Sequence, residues 1–143
     1  MTAPPSGYLL DTNVVSELRK NKPHGAIVAW LKTIPETRLF ASAFSMGELQ
    51  AGVESLRGRD AAKSNEIEAW IGAVCQTWSV LPLDADCCRQ WAREMKGRSD
   101  ALFEDAFIVA TARVHGLTVV TRNTKDFAPF DVPILNPFLY RGV

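Results

Sequence analysis

Hydrophobic and polar positions alternate along this chain in two regimes. Short apolar runs, too short for helices, are separated by longer stretches whose apolar residues recur every three or four positions. The short runs are Tyr8–Leu10, Arg38–Ala41, Val80–Leu83, Leu117–Thr121 and Val132–Leu135. The longer stretches are Val14–Lys20, Gly25–Thr33, Met46–Arg57, Ala61–Trp78, Ala85–Lys96 and Ala101–His115. Gly116 stands where a left-handed residue would close the last helix. Strands that are apolar throughout and separated by helices predict a parallel sheet covered on both faces. Ligands in such folds bind beyond the carboxyl ends of the strands, near the switch point of the strand order. Acids that follow strands are therefore the positions to inspect.

Asp11 directly follows Tyr8-Leu9-Leu10, with almost no loop before the next helix. It fits a helix N-cap, but adjacent Thr12 and Asn13 cap equally well, so capping alone does not require it. Glu48 stands three residues after Ser45, the spacing of a capping box. At 100° per residue it lies outside the solvent stripe Gln50/Glu54/Arg57 and the apolar stripe Leu49/Val53/Leu56. Its neighbours Ala51, Gly52 and Ser55 are small and leave space around the carboxylate. Asp105 aligns with Ile108, Val109 and Ala112 in a helix that reads as apolar almost all round, with Glu104, Thr111 and His115 as its polar stripe. The pattern predicts a buried carboxylate, which needs a partner or a metal. Asp126, in "TVVTRNTKDF", fits a turn and a site equally. Four carboxylates at one sheet edge would raise one another's pKa, and a hard cation such as Mg²⁺ or Mn²⁺ relieves that repulsion.

Composition narrows the picture. The 143 residues are 47% hydrophobic and 22% charged with zero net charge, which suits one globular domain over 1–143 and makes any nucleic-acid-binding patch local. The amino terminus "MTAPPSG" lacks a basic region and an apolar core, and no apolar run approaches membrane-spanning length, so neither export nor a membrane is expected. Cys75, Cys87 and Cys88 are odd in number and lack zinc spacing, and read as reduced, buried thiols of a cytoplasmic protein. His24 and His115 lack the company of a catalytic base or zinc ligand. Phosphate-loop, dinucleotide-binding and nucleophile-elbow motifs are absent. The Trp70/Ile71/Trp78 face is assigned first to core packing and second to a protein contact.

The motifs "YLLDTNVVSEL", "FSMGELQAGV", "EDAFIVATARVHGL" and "TVVTRNTKDF", in this order and spacing, resemble those of PIN domains. With the tail "VPILNPF" the likeness is to VapC-type toxins of bacterial toxin–antitoxin pairs, including the Fit trafficking-protein subgroup. The resemblance implies a three-layer α/β/α fold: a central parallel sheet of about five strands with a helical hairpin clamped to one side. It implies an endoribonuclease dependent on one or two Mg²⁺ or Mn²⁺ ions. Asp11, Glu48 and Asp105 match the family's core acids. Asp126 fits the fourth, but Asn123 stands where some relatives place that acid. Thr12, Asn13 and Thr121 match supporting polar positions, and Glu104 is an additional acid for the metal's outer shell. Arg19, Lys20, Lys22, Arg98, Arg122 and Lys125 flank the sheet edge as candidates for RNA contact. The implied partners are an RNA substrate, a second copy of the chain and a VapB-type antitoxin. The antitoxin would insert an arginine into the acidic groove and carry the assembly to operator DNA. The alternative is a PIN scaffold that binds antitoxin or RNA without cutting. A phosphoaspartate receiver or haloacid-dehalogenase-like phosphatase fits less well, because no acidic pair precedes Asp11 and Asn13 replaces the second Asp.

Overall fold

The computed structural model describes residues 6–142, so the first five residues of the amino-terminal stretch considered above lie outside the described residues. Five strands, β1 (Tyr8–Leu10), β2 (Leu39–Ser42), β3 (Ser79–Leu81), β4 (Thr118–Val120) and β5 (Ile134–Leu135), pair in parallel in the order β3-β2-β1-β4-β5. The order reverses at β1, whose neighbours are β2 and β4. Tyr8, Leu9 and Leu10 lie opposite Thr118, Val119 and Val120, so β1 and β4 end level with each other. The Asp11 N–H continues the ladder by donating to the Val120 carbonyl at 2.8 Å. Three-residue strands suffice because the central ones are covered on both faces.

Alternation along the strands divides the core in two. Tyr8, Leu10 and Val120 face α1 (Thr12–Leu18), α2 (Gly25–Leu31), α3 (Ala43–Arg57) and α4 (Ala61–Thr77), packing with Val15, Trp30, Val53 and Ile71. Leu9 and Val119 face the opposite layer of α5 (Ala85–Met95), α6 (Phe103–His115) and α7 (Thr124–Phe127), packing with Ile108, Val109, Phe127 and Phe130. These are the three layers and five parallel strands expected. The hairpin is α3–α4, tied on its outer side by Arg57 to Glu54 and Glu68 and by Gln50 to the same two acids. Trp70 and Trp78 pack against the first core, as assigned. None of the described helices is long and apolar enough to cross a membrane.

Two glycines are fixed by geometry. A Cβ on Gly7 would meet Phe40, the Arg38 carbonyl and Leu117 at 2.9–3.0 Å, so the entry to β1 admits no side chain. Gly116 closes α6 at φ +67°, the left-handed conformation its position predicts.

Several local expectations are corrected. α1 begins at Thr12 rather than Val14, with Asp11 as its N-cap, so Thr12 and Asn13 belong to the helix. α3 begins at Ala43, capped by Ser42, whose hydroxyl accepts from the Ser45 N–H at 3.0 Å; Ser45 is not the cap. In both places the strand runs directly into the helix, so the polar residue at the junction takes the cap. Asp105 is half-buried rather than buried. Thr111, expected on a polar stripe, is fully buried and donates its hydroxyl to the Phe107 carbonyl at 2.9 Å. Local back-bonding satisfies the hydroxyl and lets it face the core. Cys87 is buried as expected, but Cys75 and Cys88 lie on outward faces of α4 and α5 and are exposed.

Candidate active site

The switch point between β1 and β4 places Asp11 at the bottom of a hollow of about 330 Å³ lined by Asp11, Thr12, Asn13, Ser16, Glu48, Glu104, Asp105, Ile108 and Asn123. Each acid arrives on a rigid support: Asp11 between β1 and α1, Glu48 in the second turn of α3, and Glu104 and Asp105 in the first turn of α6. Elements from both faces of the sheet thus meet over its carboxyl edge. Asp11, Glu48 and Asp105, far apart in the sequence, are brought to one cleft.

The acids are held by neutral donors. Asp11 is only 8% exposed. Its Oδ1 accepts the Thr12 N–H at 2.8 Å, and its Oδ2 accepts Asn13 Nδ2 at 3.0 Å and Thr121 Oγ1 at 2.9 Å. Thr12 Oγ1 donates to Glu48 Oε1 at 2.6 Å and lies 2.8 Å from Ser45 Oγ. The Asn123 N–H donates to Thr121 Oγ1 at 3.0 Å, which ties the segment after β4 to the same network. Among the described residues no ion pair joins Asp11, Glu48, Glu104 or Asp105 to a Lys or Arg.

Uncompensated burial shows in the protonation of these groups. Asp11 is raised above the usual carboxylate range, chiefly by burial, despite the bonds from Thr121, Thr12 and Asn13. Glu48 is pushed up to about 7, first by burial, then by the nearby carboxyl of Glu104 and the charge of Asp11, against the opposing Thr12 hydroxyl. Asp105 is pushed up to about 6 by burial and by the charges of Asp11, Asp126 and Glu104. Positive charge is what this cleft lacks, and its donors are oxygens, the chemistry a hard divalent cation prefers. Among the described residues no three Asp, Glu, His or Cys side chains already converge as a complete ligand set.

The fourth acid is resolved in position. Asp126 is exposed and lines an adjoining hollow of about 280 Å³ with Arg122, Asn123, Thr124 and Lys125, while its charge still reaches Asp11 and Asp105. Asn123, not Asp126, lines the acidic cleft. Asp126 also makes the turn its sequence suggests, its N–H donating to the Asn123 carbonyl at 3.1 Å.

The basic candidates separate. Lys20 is paired with Glu17 at 2.9 Å. Arg98 donates to the Glu94 carbonyl at 2.7 Å and lies over the Phe130 ring, so it serves packing of the α5–α6 layer. Arg19 and Lys22 line neither hollow, whereas Arg122 and Lys125 line the second. Ser16 and Ser45 were missed. Ser16 follows Thr12 by one helical turn and Ser45 precedes Glu48 by three residues, so helical spacing from these site residues is the available signal.

Strand order and carboxylate cleft together define a doubly wound α/β domain with an acidic site at its switch point. The family model of the PIN domain matches residues 8–132, and the chain belongs to that family. It is 34% identical over 136 residues to the VapC ribonuclease Y4jK of Sinorhizobium fredii, covering 91% of this chain and 96% of that one. It is 33% identical to Toxin FitB of Neisseria gonorrhoeae, covering 91% and 97%. The solved structure of FitAB bound to the IR36 DNA fragment matches with a TM-score of 0.78 and 30% identity, over 94% of this chain and 98% of that chain. The likeness to VapC- and Fit-type toxins implied by the motifs is thereby shown.

Proposed function

We propose that this chain is the toxin of a toxin–antitoxin pair and a Mg²⁺- or Mn²⁺-dependent endoribonuclease acting in the bacterial cytoplasm. The observation that carries the reading is that Asp11, Glu48 and Asp105 line one cleft with no cationic side chain among the described residues paired to them. The ribonuclease name of the Sinorhizobium relative and the toxin name of the Neisseria relative support the same reading.

The residues fit the metal by donor type and by charge. Asp11, Glu48 and Asp105 would hold the ion, with Asn123 at the margin and Glu104 in the outer shell; Asp126 would add field from the adjoining hollow. When bound, the ion supplies positive charge to a phosphate oxygen and lowers the pKa of a water. The protein's own part is positioning. Thr12, Asn13 and Thr121 fix the Asp11 and Glu48 carboxylates, and strand and helix supports fix Thr12, Asn13 and Thr121 in turn. RNA laid across the cleft would meet water attack in line at phosphorus, leaving a 5′-phosphate and a 3′-hydroxyl. The uncompensated carboxylates also suit an arginine from an antitoxin, which would close the site by filling the place of the cation. A second copy of this chain and operator DNA reached through the antitoxin complete the proposed assembly, supported by the FitAB complex on DNA.

The test is cleavage of a structured RNA in Mg²⁺ by the wild type and by Asp11→Asn, with new RNA ends mapped after brief expression with and without the antitoxin. New ends should appear only without antitoxin, and none from Asp11→Asn. Undiminished cleavage by Asp11→Asn would overturn the site. Tight antitoxin or RNA binding with no new ends from the wild type would instead establish a non-catalytic scaffold.

A further inference from the structure

The hollow beside the acidic cleft has the opposite chemistry. Arg122 and Lys125 line it with Asn123, Thr124 and Asp126, and Asn123 also lines the cleft, so the two depressions adjoin across one side chain. Among the described residues the Arg122 guanidinium and the Lys125 ammonium make no hydrogen bond or ion pair to the protein. The position of Arg122 is nonetheless fixed. The Arg122 N–H donates to Asn13 Oδ1 at 3.4 Å, and Asn13 in turn donates to Asp11. The Arg122 guanidinium lies 4.0 Å from the centroid of the Phe138 ring, and His24 packs against the same ring. Stacking takes up one flat face of the guanidinium and leaves its edge donors for a ligand. Two acids temper the charge: Asp126 in the hollow, and Glu17, which is near enough to Arg122 to feel it but is committed to Lys20 and the His24 N–H.

We infer that this hollow is a binding subsite for the phosphate next to the one that is cut, with Arg122 as its fixed donor and Lys125 as a mobile one. The inference rests on the ribonuclease reading. A polyanion whose charges recur at short intervals along one strand is the ligand that needs a cation-holding cleft and a cationic hollow side by side. A protein carboxylate partner would be repelled by the four acids a step away. The subsite would set the register of the RNA backbone without reading bases.

Binding of a short fluorescein-labelled single-stranded RNA of mixed sequence, followed by anisotropy in EDTA between about 50 and 200 mM KCl, tests this without cleavage. Arg122→Gln and Lys125→Gln should each weaken Kd by about threefold to tenfold at the low-salt end and lower the slope of log K against log salt by about 0.7. Arg122→Lys should restore most of the slope, because it keeps the charge while giving up the stack. Arg59→Gln, at the exposed tip of the α3–α4 hairpin, serves as the comparison and should leave the slope unchanged. Lys125→Gln keeps the test open should Arg122→Gln fold poorly. Unchanged slopes in both variants, or an equal loss in Arg59→Gln, would overturn the subsite. Wild-type cleavage in Mg²⁺ is scored separately: its failure would remove the ribonuclease reading and with it the neighbouring cut, while the slopes would still report whether the hollow binds an RNA phosphate.

Discussion

Asp11 and Glu94 are buried to the same extent, 8% and 7% exposed, yet the fold treats them in opposite ways. Glu94, on α5, accepts Arg113 Nε at 2.5 Å and Gln90 Nε2 at 2.6 Å, and Arg113 goes on to donate to the Phe130 carbonyl. Its charge is matched by a guanidinium from α6, and the arrangement fastens α5, α6 and the segment after α7 into one layer. Asp11 receives three hydrogen bonds, all from neutral donors, and faces two further half-buried acids. One carboxylate is compensated within the chain; the other is oriented but left uncompensated. The difference separates a structural acid from a site acid where burial alone cannot. On the proposed function, that open charge is what a cation would offset in catalysis and an antitoxin arginine in inhibition.

That contrast can be broken in four ways. The largest effect is on activity. Asp11→Asn keeps the size of the side chain and removes its charge, and RNA cleavage should fall by at least about 100-fold, the order of losing one electrostatic group at a preorganised site. Melting should be little changed or slightly raised, since a buried uncompensated charge has been removed; a large drop in Tm would mean that Asp11 is structural like Glu94. Next, Arg113→Met should destabilise the fold by about 2–4 kcal/mol in urea unfolding, below the fully buried range because the Arg113 side chain is 34% exposed, and should leave per-molecule cleavage in place.

Smaller in size is the pH dependence of the metal-free protein. Glu48 and Asp105 have folded-state pKa values of about 7 and about 6, above their ordinary 4.5 and 3.8. Between those limits the folded state binds more protons than the unfolded one, so stability is highest at low pH in this window and falls as pH rises through about 6 and 7. Thermal melts in EDTA should show Tm dropping by a few degrees from about pH 5 to pH 8, on the order of 1–2 kcal/mol. Mn²⁺ should recover the loss, more at pH 8 than at pH 5. A Tm that rises across this range would contradict the raised pKa values. Smallest is Thr121→Val, which removes one donor to Asp11 and the acceptor for the Asn123 N–H; about 1 kcal/mol of stability and severalfold of activity should go together.

The sequence was readable wherever the signal was local and periodic. Tyr8-Leu9-Leu10 ending at Asp11, the helix period of α6 and Gly116 at its close all carry their meaning within a few residues. The three acids could be gathered because parallel strands bring their carboxyl ends to one edge. Capping was harder, because Asp, Thr, Asn and Ser compete for the same role; only the absence of a loop after β1 and β2 decides that Asp11 and Ser42 take it. Distant pairs were not readable. Nothing near Arg98 announces Phe130, nothing near Arg122 announces Phe138, and Asn123 and Asp126 exchange places in the cleft through a single short turn. For the same reason one group of basic residues, uniform in sequence, divides into structural cations and cations facing a hollow.

The central claim is that the uncompensated carboxylates of the cleft hold a divalent cation. Anomalous diffraction at the manganese edge from crystals of the wild type and of Asp11→Asn grown with Mn²⁺ tests it most directly. A manganese peak should lie between Asp11 and Asp105 in the wild type and be weakened or lost in Asp11→Asn. Well-ordered wild-type crystals with no manganese in the cleft, or with the ion bound only elsewhere on the surface, would contradict it.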